Sequence, residues 1–179
     1  MKIISGSLKG RIIKGYDIEG TRPTMDRVKE SLFGMIQTYI SDKVVLDLFA
    51  GTGNLGFEAI SNGAKLCIFN DKNKKCTSLI KENINIFGIE SKAVVLNLDY
   101  KKALEYIKEN NIKLDLVFLD PPYKDRSLND VITYIHDNFL LNKNGIIVCE
   151  VDNLYLDVSH YEVIKERKYN DKYIIIYRN

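Results

Sequence analysis

Asp120-Pro121-Pro122-Tyr123 sets an acid, two imino acids and an aromatic ring side by side at the end of an apolar run, Leu114 to Leu119. Two consecutive prolines remove two backbone donors and restrict the chain, which fixes the directions of the neighbouring carbonyls. That rigidity suits chemistry on a planar amine, whose lone pair is delocalised and poorly nucleophilic. Such a group reacts when acceptors hold its hydrogens and aim its nitrogen at an electrophile. The Asp120 carboxylate and the Pro121 carbonyl are two such acceptors, Pro122 stiffens them, and Tyr123 can stack on a base drawn out of its neighbours. These four residues are the catalytic candidates. The plainer alternative is a strand-ending turn with Pro-Pro as a stop signal.

A second chemical signature lies upstream. Asp47-Leu48-Phe49-Ala50-Gly51-Thr52-Gly53-Asn54-Leu55-Gly56 contains the pattern G-x-G-x-x-G. Alone the pattern is weak, and it also fits a dinucleotide-dependent oxidoreductase with Asp71 on a ribose hydroxyl. Asp47, four residues before Gly51, argues otherwise, because a carboxylate there disfavours a pyrophosphate and favours a cation. S-adenosylmethionine has no phosphate and carries a sulfonium and an ammonium. Asp71 then faces its ribose diol and Asp99 its adenine amine, although each acid singly is equally well explained as a helix N-cap. The expected donor-binding set is Asp47, Phe49, Gly51, Gly53, Asn54, Asp71, Lys72, Asp99 and Tyr100, with Asp120 shared between donor and substrate.

The elements that must position these residues are legible from periodicity. Short β-branched runs at Val44 to Leu48, Leu66 to Asn70, Ala93 to Leu96, Leu114 to Leu119 and Gly145 to Val151 read as strands. Between them, Leu55 to Asn62, Lys74 to Asn85, Tyr100 to Asn110 and Leu128 to Phe139 have the length of crossover helices. Apolar strands so connected predict an α/β fold with a parallel sheet covered on both faces. Ligands of such sheets bind beyond the carboxyl ends of the strands, where the acids stand. Tyr161 to Lys168 and Tyr173 to Arg178 predict a closing antiparallel hairpin. At the other end, Lys2 to Ile4 and Arg11 to Lys14 read as a basic β-hairpin. Thr24 is a candidate cap for a helix whose stripe Val28, Leu32, Met35, Ile36 and Tyr39 is core packing.

The 179 residues, 45% hydrophobic, suit one domain with one substantial core. We divide it into a basic hairpin-and-helix extension over residues 1–40 and a catalytic core over 41–179. No apolar run reaches the roughly 20 residues of a membrane span, and no signal segment opens the chain, so a cytoplasmic protein without membrane association is expected. The net charge is +2, but the first 30 residues hold seven bases against four acids, +3, leaving −1 for the rest. Basic clustering of this kind suits phosphate contact and equally suits an ordinary solvated face. Cys67, Cys76 and Cys149 lack metal-ligand spacing, and two of them lie in apolar runs that favour buried thiols; His136 and His160 lack partners for catalysis. No metal and no obligatory protein partner is expected.

Together, D-x-F-x-G-x-G at Asp47 to Gly53 and D-P-P-Y at Asp120 to Tyr123 resemble class I amino-methyltransferases. Ile3-Ile4-Ser5-Gly6 with Lys9-Gly10-Arg11, Thr21-Arg22-Pro23-Thr24 with Asp26-Arg27-Val28-Lys29-Glu30, and Leu46 to Gly51 narrow the likeness. With the closing Glu166-Arg167-Lys168-Tyr169, the chain resembles the RsmD family over essentially its whole length. The resemblance implies a Rossmann-like seven-stranded sheet with one antiparallel strand. It also implies S-adenosylmethionine-dependent methylation of guanine N2 in 16S ribosomal RNA, free or in the assembling small subunit, at a loop near the P site. It further implies that Lys9, Arg11, Arg22, Thr24 and Arg27 hold RNA over the pocket, joined by Lys124 and Arg126. Two departures stand out: Thr52 where the family usually has Ser, and Asn170-Asp171-Lys172 where Gly-Asp-Thr is common. On the residues alone, a DNA adenine-N6 or protein glutamine-N5 methyltransferase, or a catalytically silent RNA-binding assembly factor, remains open.

Overall fold

The computed structural model describes residues 1–15, 23–121, 128–151, 159–169 and 172–179. Its strands are β1 (Val44–Asp47), β2 (Leu66–Asn70), β3 (Ala93–Leu96), β4 (Leu114–Leu119), β5 (Leu141–Val151), β6 (Glu162–Tyr169) and β7 (Lys172–Arg178). They form one seven-stranded sheet in the order β3-β2-β1-β4-β5-β7-β6. Neighbours from β3 to β5 pair in parallel, and β7 runs antiparallel to both β5 and β6. One strand is therefore reversed, as expected. The order turns back between β1 and β4, and this switch point opens a crevice at the carboxyl edge.

Strand residues alternate between two apolar layers. Val45, Phe69, Leu116, Phe118 and Val148 face one layer, which also takes residues from the helices α1 (Pro23–Ile36), α2 (Asn54–Ser61) and α3 (Lys74–Phe87). Leu46, Ile68, Val117, Leu119 and Cys149 face the other, filled by α4 (Tyr100–Glu109) and α5 (Leu128–Asp137). Burial on both faces explains why the parallel strands read as unbroken apolar runs. Cys67 and Cys149 are fully buried in these layers, and burial pushes both thiols up, as inert core residues require.

The N-terminal segment departs from two regular strands. A single antiparallel bridge, Lys2 with Ile12, is flanked by Ile3 N–H to Arg11 O at 2.9 Å and Ile13 N–H to Met1 O at 2.8 Å. The intervening turn does not continue a ladder because it lies on α2: Ser7 N–H donates to Ser61 O at 2.8 Å, and Leu8 N–H to Ser61 Oγ at 2.9 Å. Ile3 and Ile13 are buried in the same apolar layer as Phe33 and Phe57, so the extension shares the core of the sheet. Helix α1 begins at Pro23, one residue before the expected cap, and Thr24 lies inside its first turn. Proline at that position costs no hydrogen bond, because the first-turn amides have no intrahelical acceptor. The expected stripe is core: Leu32 and Ile36 are buried, and Val28, Met35 and Tyr39 pack against them.

Candidate functional site

Asp47 ends β1 and is 3% exposed. Its Oδ2 accepts the Gly56 N–H at 2.9 Å, which ties the strand end to the first turn of α2. Burial pushes its carboxyl up to about 7; the Gly56 bond opposes the rise, and the nearby Asp120 and Asp71 charges add to it. Between these anchors the loop bends through Gly53 at φ 88°, where a Cβ would stand 2.7 Å from the Phe57 ring; at Gly56 it would meet the Phe69 ring at 2.1 Å. Glycine is required at Gly53 by close packing of the loop on α2 and α3, and at Gly56 by packing of α2 on β2.

Asp71, half-buried just beyond β2, accepts from Gly51 N–H at 2.9 Å through Oδ2 and from Asn73 N–H at 2.8 Å through Oδ1. A carboxylate has about four acceptor sites, so capacity for a ligand hydroxyl remains. Asp99 is exposed and caps α4, its Oδ1 accepting from Lys101 N–H at 3.0 Å. The Phe49 and Tyr100 rings lie 5.9 Å apart at 46°, bringing the loop after β1 against the start of α4. Lys72 is exposed beside Asp71. Asp120, exposed, and half-buried Pro121 follow β4, next to β1 across the switch point. Pro122, Tyr123, Lys124, Arg126 and Arg22 lie outside the described residues. Lys9, Arg11 and Arg27 are exposed.

Four polar residues of this region carry weight that the sequence reading missed. Asn70, 1% exposed, donates to Leu48 O at 3.1 Å and accepts from Leu98 N–H at 3.2 Å, so one amide clamps the ends of three strands. A polar residue closing the apolar run Leu66 to Phe69 was the available signal. Lys29 and Glu58 are buried at 3% and 0% exposure and form an ion pair of 2.8 Å. Lys29 Nζ also donates to Lys2 O at 2.7 Å and Asn54 Oδ1 at 2.9 Å, while Glu58 Oε1 accepts the Ile4 N–H at 2.6 Å. Asn54, expected on the donor, thus has its carbonyl oxygen turned to α1. Finally, Thr52 Oγ1 in the loop is buried without a hydrogen-bond partner among the described residues. Such an orphan calls for a partner that the described side chains do not supply.

A family model described as "Conserved hypothetical protein 95" matches residues 1–178. The protein called ribosomal RNA small subunit methyltransferase D in Haemophilus influenzae is 35% identical over 172 residues, covering 93% of this chain and 88% of that one. The chain belongs to the RsmD family. The YlbH protein of Bacillus subtilis is 41% identical over 152 residues, 85% of this chain and 83% of its own. Among solved structures, yhhF from Escherichia coli superposes with a TM-score of 0.86 at 25% identity, covering 100% of this chain and 97% of that chain. The RsmD likeness thus spans the hairpin, the glycine loop and the closing strands alike, and the fold is that of class I methyltransferases.

Proposed function

We propose that this RsmD-family chain transfers a methyl group from S-adenosylmethionine to the exocyclic N2 of a guanine in small-subunit ribosomal RNA. The observation that carries the donor half is where the loop amides point. Gly51 N–H is taken by Asp71, Gly56 N–H by Asp47 and Gly53 N–H by Ala50 O. A phosphate-binding glycine loop offers such amides to an anion. This one has spent two of them on carboxylates and the third on a backbone carbonyl, and the crevice carries Asp47, Asp71 and Asp120 instead. Its potential favours a cationic ligand and disfavours a dinucleotide. Thr52 Oγ1 adds an unmatched polar group for the ligand to complete.

Bound S-adenosylmethionine supplies an electrophilic methyl on a positive sulfur. The residues of the chain hold and orient: Asp71 takes the ribose diol, and Phe49 and Tyr100 wall the adenine side. On the substrate side, Asp120 and the Pro121 carbonyl accept the two hydrogens of the guanine amine, aim its nitrogen, and Asp120 receives the proton released on methylation. Tyr123 stacks on the extruded base. Lys9, Arg11 and Arg27 bind phosphates of the surrounding RNA, together with Arg22, Lys124 and Arg126. The names of the RsmD relatives support rRNA as substrate; guanine N2 is the finer reading, since adenine N6 and cytosine N4 satisfy the same acceptors.

The test supplies methyl-labelled donor to small ribosomal subunits, naked small-subunit rRNA and DNA, and maps the label. Label on one guanine N2 of the rRNA is expected. Label on DNA alone, on a protein glutamine, or nowhere overturns the reading.

A further inference from the structure

Glu166-Arg167-Lys168-Tyr169 closes β6, apart from the donor loop and the amine-binding motif. Because β7 is reversed, β6 runs parallel to β4, and its carboxyl end emerges at the edge of the sheet where the catalytic acids stand. The register is specific. Leu119 pairs with Cys149, so Asp120 follows opposite Glu150; Glu150 pairs with Ile174, and Ile174 with Arg167. Arg167 therefore lies in the same transverse row as Asp120, three strand spacings or roughly 14 Å away.

Its environment suits an anion. Arg167 and Lys165 are exposed and pair with Ile174 and Ile176, two residues of the layer packed by α1, so both basic side chains project on the α1 side. Arg167 Nη1 donates to Ser31 Oγ at 2.9 Å, and Tyr169 Oη donates to the same oxygen at 2.6 Å. Ser31 stands one helical turn beyond Arg27, so the Arg27 and Arg167 side chains leave neighbouring ground. The acid at the far end of the strand, Glu162, is paired with Arg178 at 2.5 Å, and Glu166 points to the opposite face. A guanidinium held by one nitrogen keeps the rest of its planar fork for a phosphate.

We propose that Arg167, with Lys165, extends the RNA-binding surface along the edge strand, so that the nucleic acid runs from the N-terminal hairpin across α1 to β6 and is gripped on the phosphates flanking the target base. This rests on the rRNA reading above. The surface commits to RNA backbone: charge and a planar fork match phosphates and carry no base sequence.

The test measures binding of in vitro transcribed small-subunit rRNA to the intact protein by filter retention across salt concentrations. Arg167→Gln removes the charge and keeps a polar side chain, and Lys165→Gln does the same beside it. Removing one cation from a phosphate is expected to flatten the slope of log affinity against log salt by about 0.7 to 0.9. Binding of S-adenosylhomocysteine and the unfolding midpoint should be unchanged, and Arg167→Lys should restore the slope. Lys108→Gln, on α4 across the opposite face of the sheet, serves as control. A wild-type slope in both Arg167→Gln and Lys165→Gln overturns the inference and leaves the rRNA reading intact. If the wild-type protein neither binds nor methylates the rRNA, the reading itself falls, and the inference with it.

Discussion

In the proposed reading the sheet has a donor half, β3-β2-β1 with its glycine loop, and a substrate half, β4-β5-β7-β6 with α1, and the two place the same residue types in different circumstances. On the donor side, acids at strand ends are spent on backbone amides: Asp47 on Gly56, Asp71 on Gly51 and Asn73, Asp99 on Lys101. On the substrate side, Asp120 is exposed, and Arg27 and Arg167 lie at the surface. A carboxylate at the carboxyl edge is thus no single kind of residue. Burial makes Asp47 a piece of scaffold that also sets the potential, whereas the Asp120 side chain is exposed.

Beyond the β1–β4 pairing within the sheet, Lys29 ties the two halves together, since its ammonium touches the hairpin, Asn54 and Glu58 at once. Removing one member of a buried pair leaves an uncompensated charge. Lys29→Met should destabilise by about 3–5 kcal/mol in urea unfolding, with Lys29→Met/Glu58→Gln recovering much of the loss. A cost near zero would show that the β1–β4 pairing alone holds the halves together.

For Asp120→Ala we expect turnover to fall about 1,000-fold, in line with the removal of a transition-state interaction, while donor affinity measured by calorimetry stays close to wild type. Should donor affinity fall as steeply as turnover, Asp120 belongs to the donor half and the division between the halves fails.

Asp47 sharpens the contrast through pH. Its ordinary value is 3.8 and its folded value about 7, so its contribution to stability is full below pH 3.8 and is lost as pH rises through about 7. At one pKa unit per 1.36 kcal/mol, the ceiling on that loss is about 4 kcal/mol. Asp47→Asn keeps an oxygen for Gly56 and should flatten the stability profile between pH 4 and 7. A cationic donor stabilises the ionised form, so wild-type donor affinity should rise through the same window and the variant's should not. Identical profiles for both proteins would remove Asp47 from the electrostatics of the site.

Most of this organisation is legible in the sequence, for a physical reason. The five parallel strands, four crossover helices and closing hairpin follow from periodicities that burial on two faces imposes, and each strand start falls within a residue of expectation except β5. That strand begins at Leu141, ahead of Gly145, because its pairing shifts register between Leu114 and Leu116 and takes in a polar Asn142-Lys143-Asn144 stretch. The glycine loop and its acids were legible because close backbone approach admits few residue types. Lys29, Glu58 and Asn70 were not, because a charged or amide residue in a helical stripe or at a strand end looks solvated until its partner, distant in sequence, is known. The N-terminal hairpin was half legible: turn glycines predict the reversal, but docking on Ser61 replaces the ladder.

The mildest expected effects compare two donor-side acids with each other. Asp71→Ala withdraws an acceptor from Gly51 and from the ribose, and charge-assisted bonds of that kind are worth about 1.5–3 kcal/mol, which is roughly a 10- to 100-fold loss of donor affinity. Asp99→Ala should cost about 1 kcal/mol of stability as a lost helix cap. Its effect on donor binding separates two explanations of the same side chain. Serine at this position caps the helix equally well but is too short to reach an adenine amine. If Asp99 acts through the cap, which seats Tyr100 against Phe49, Asp99→Ser restores both stability and donor affinity. If it touches adenine, Asp99→Ser restores stability alone. Calorimetry of S-adenosylhomocysteine binding, beside thermal unfolding of the alanine and serine variants, distinguishes an acid that binds from one that only holds the binding residues in place.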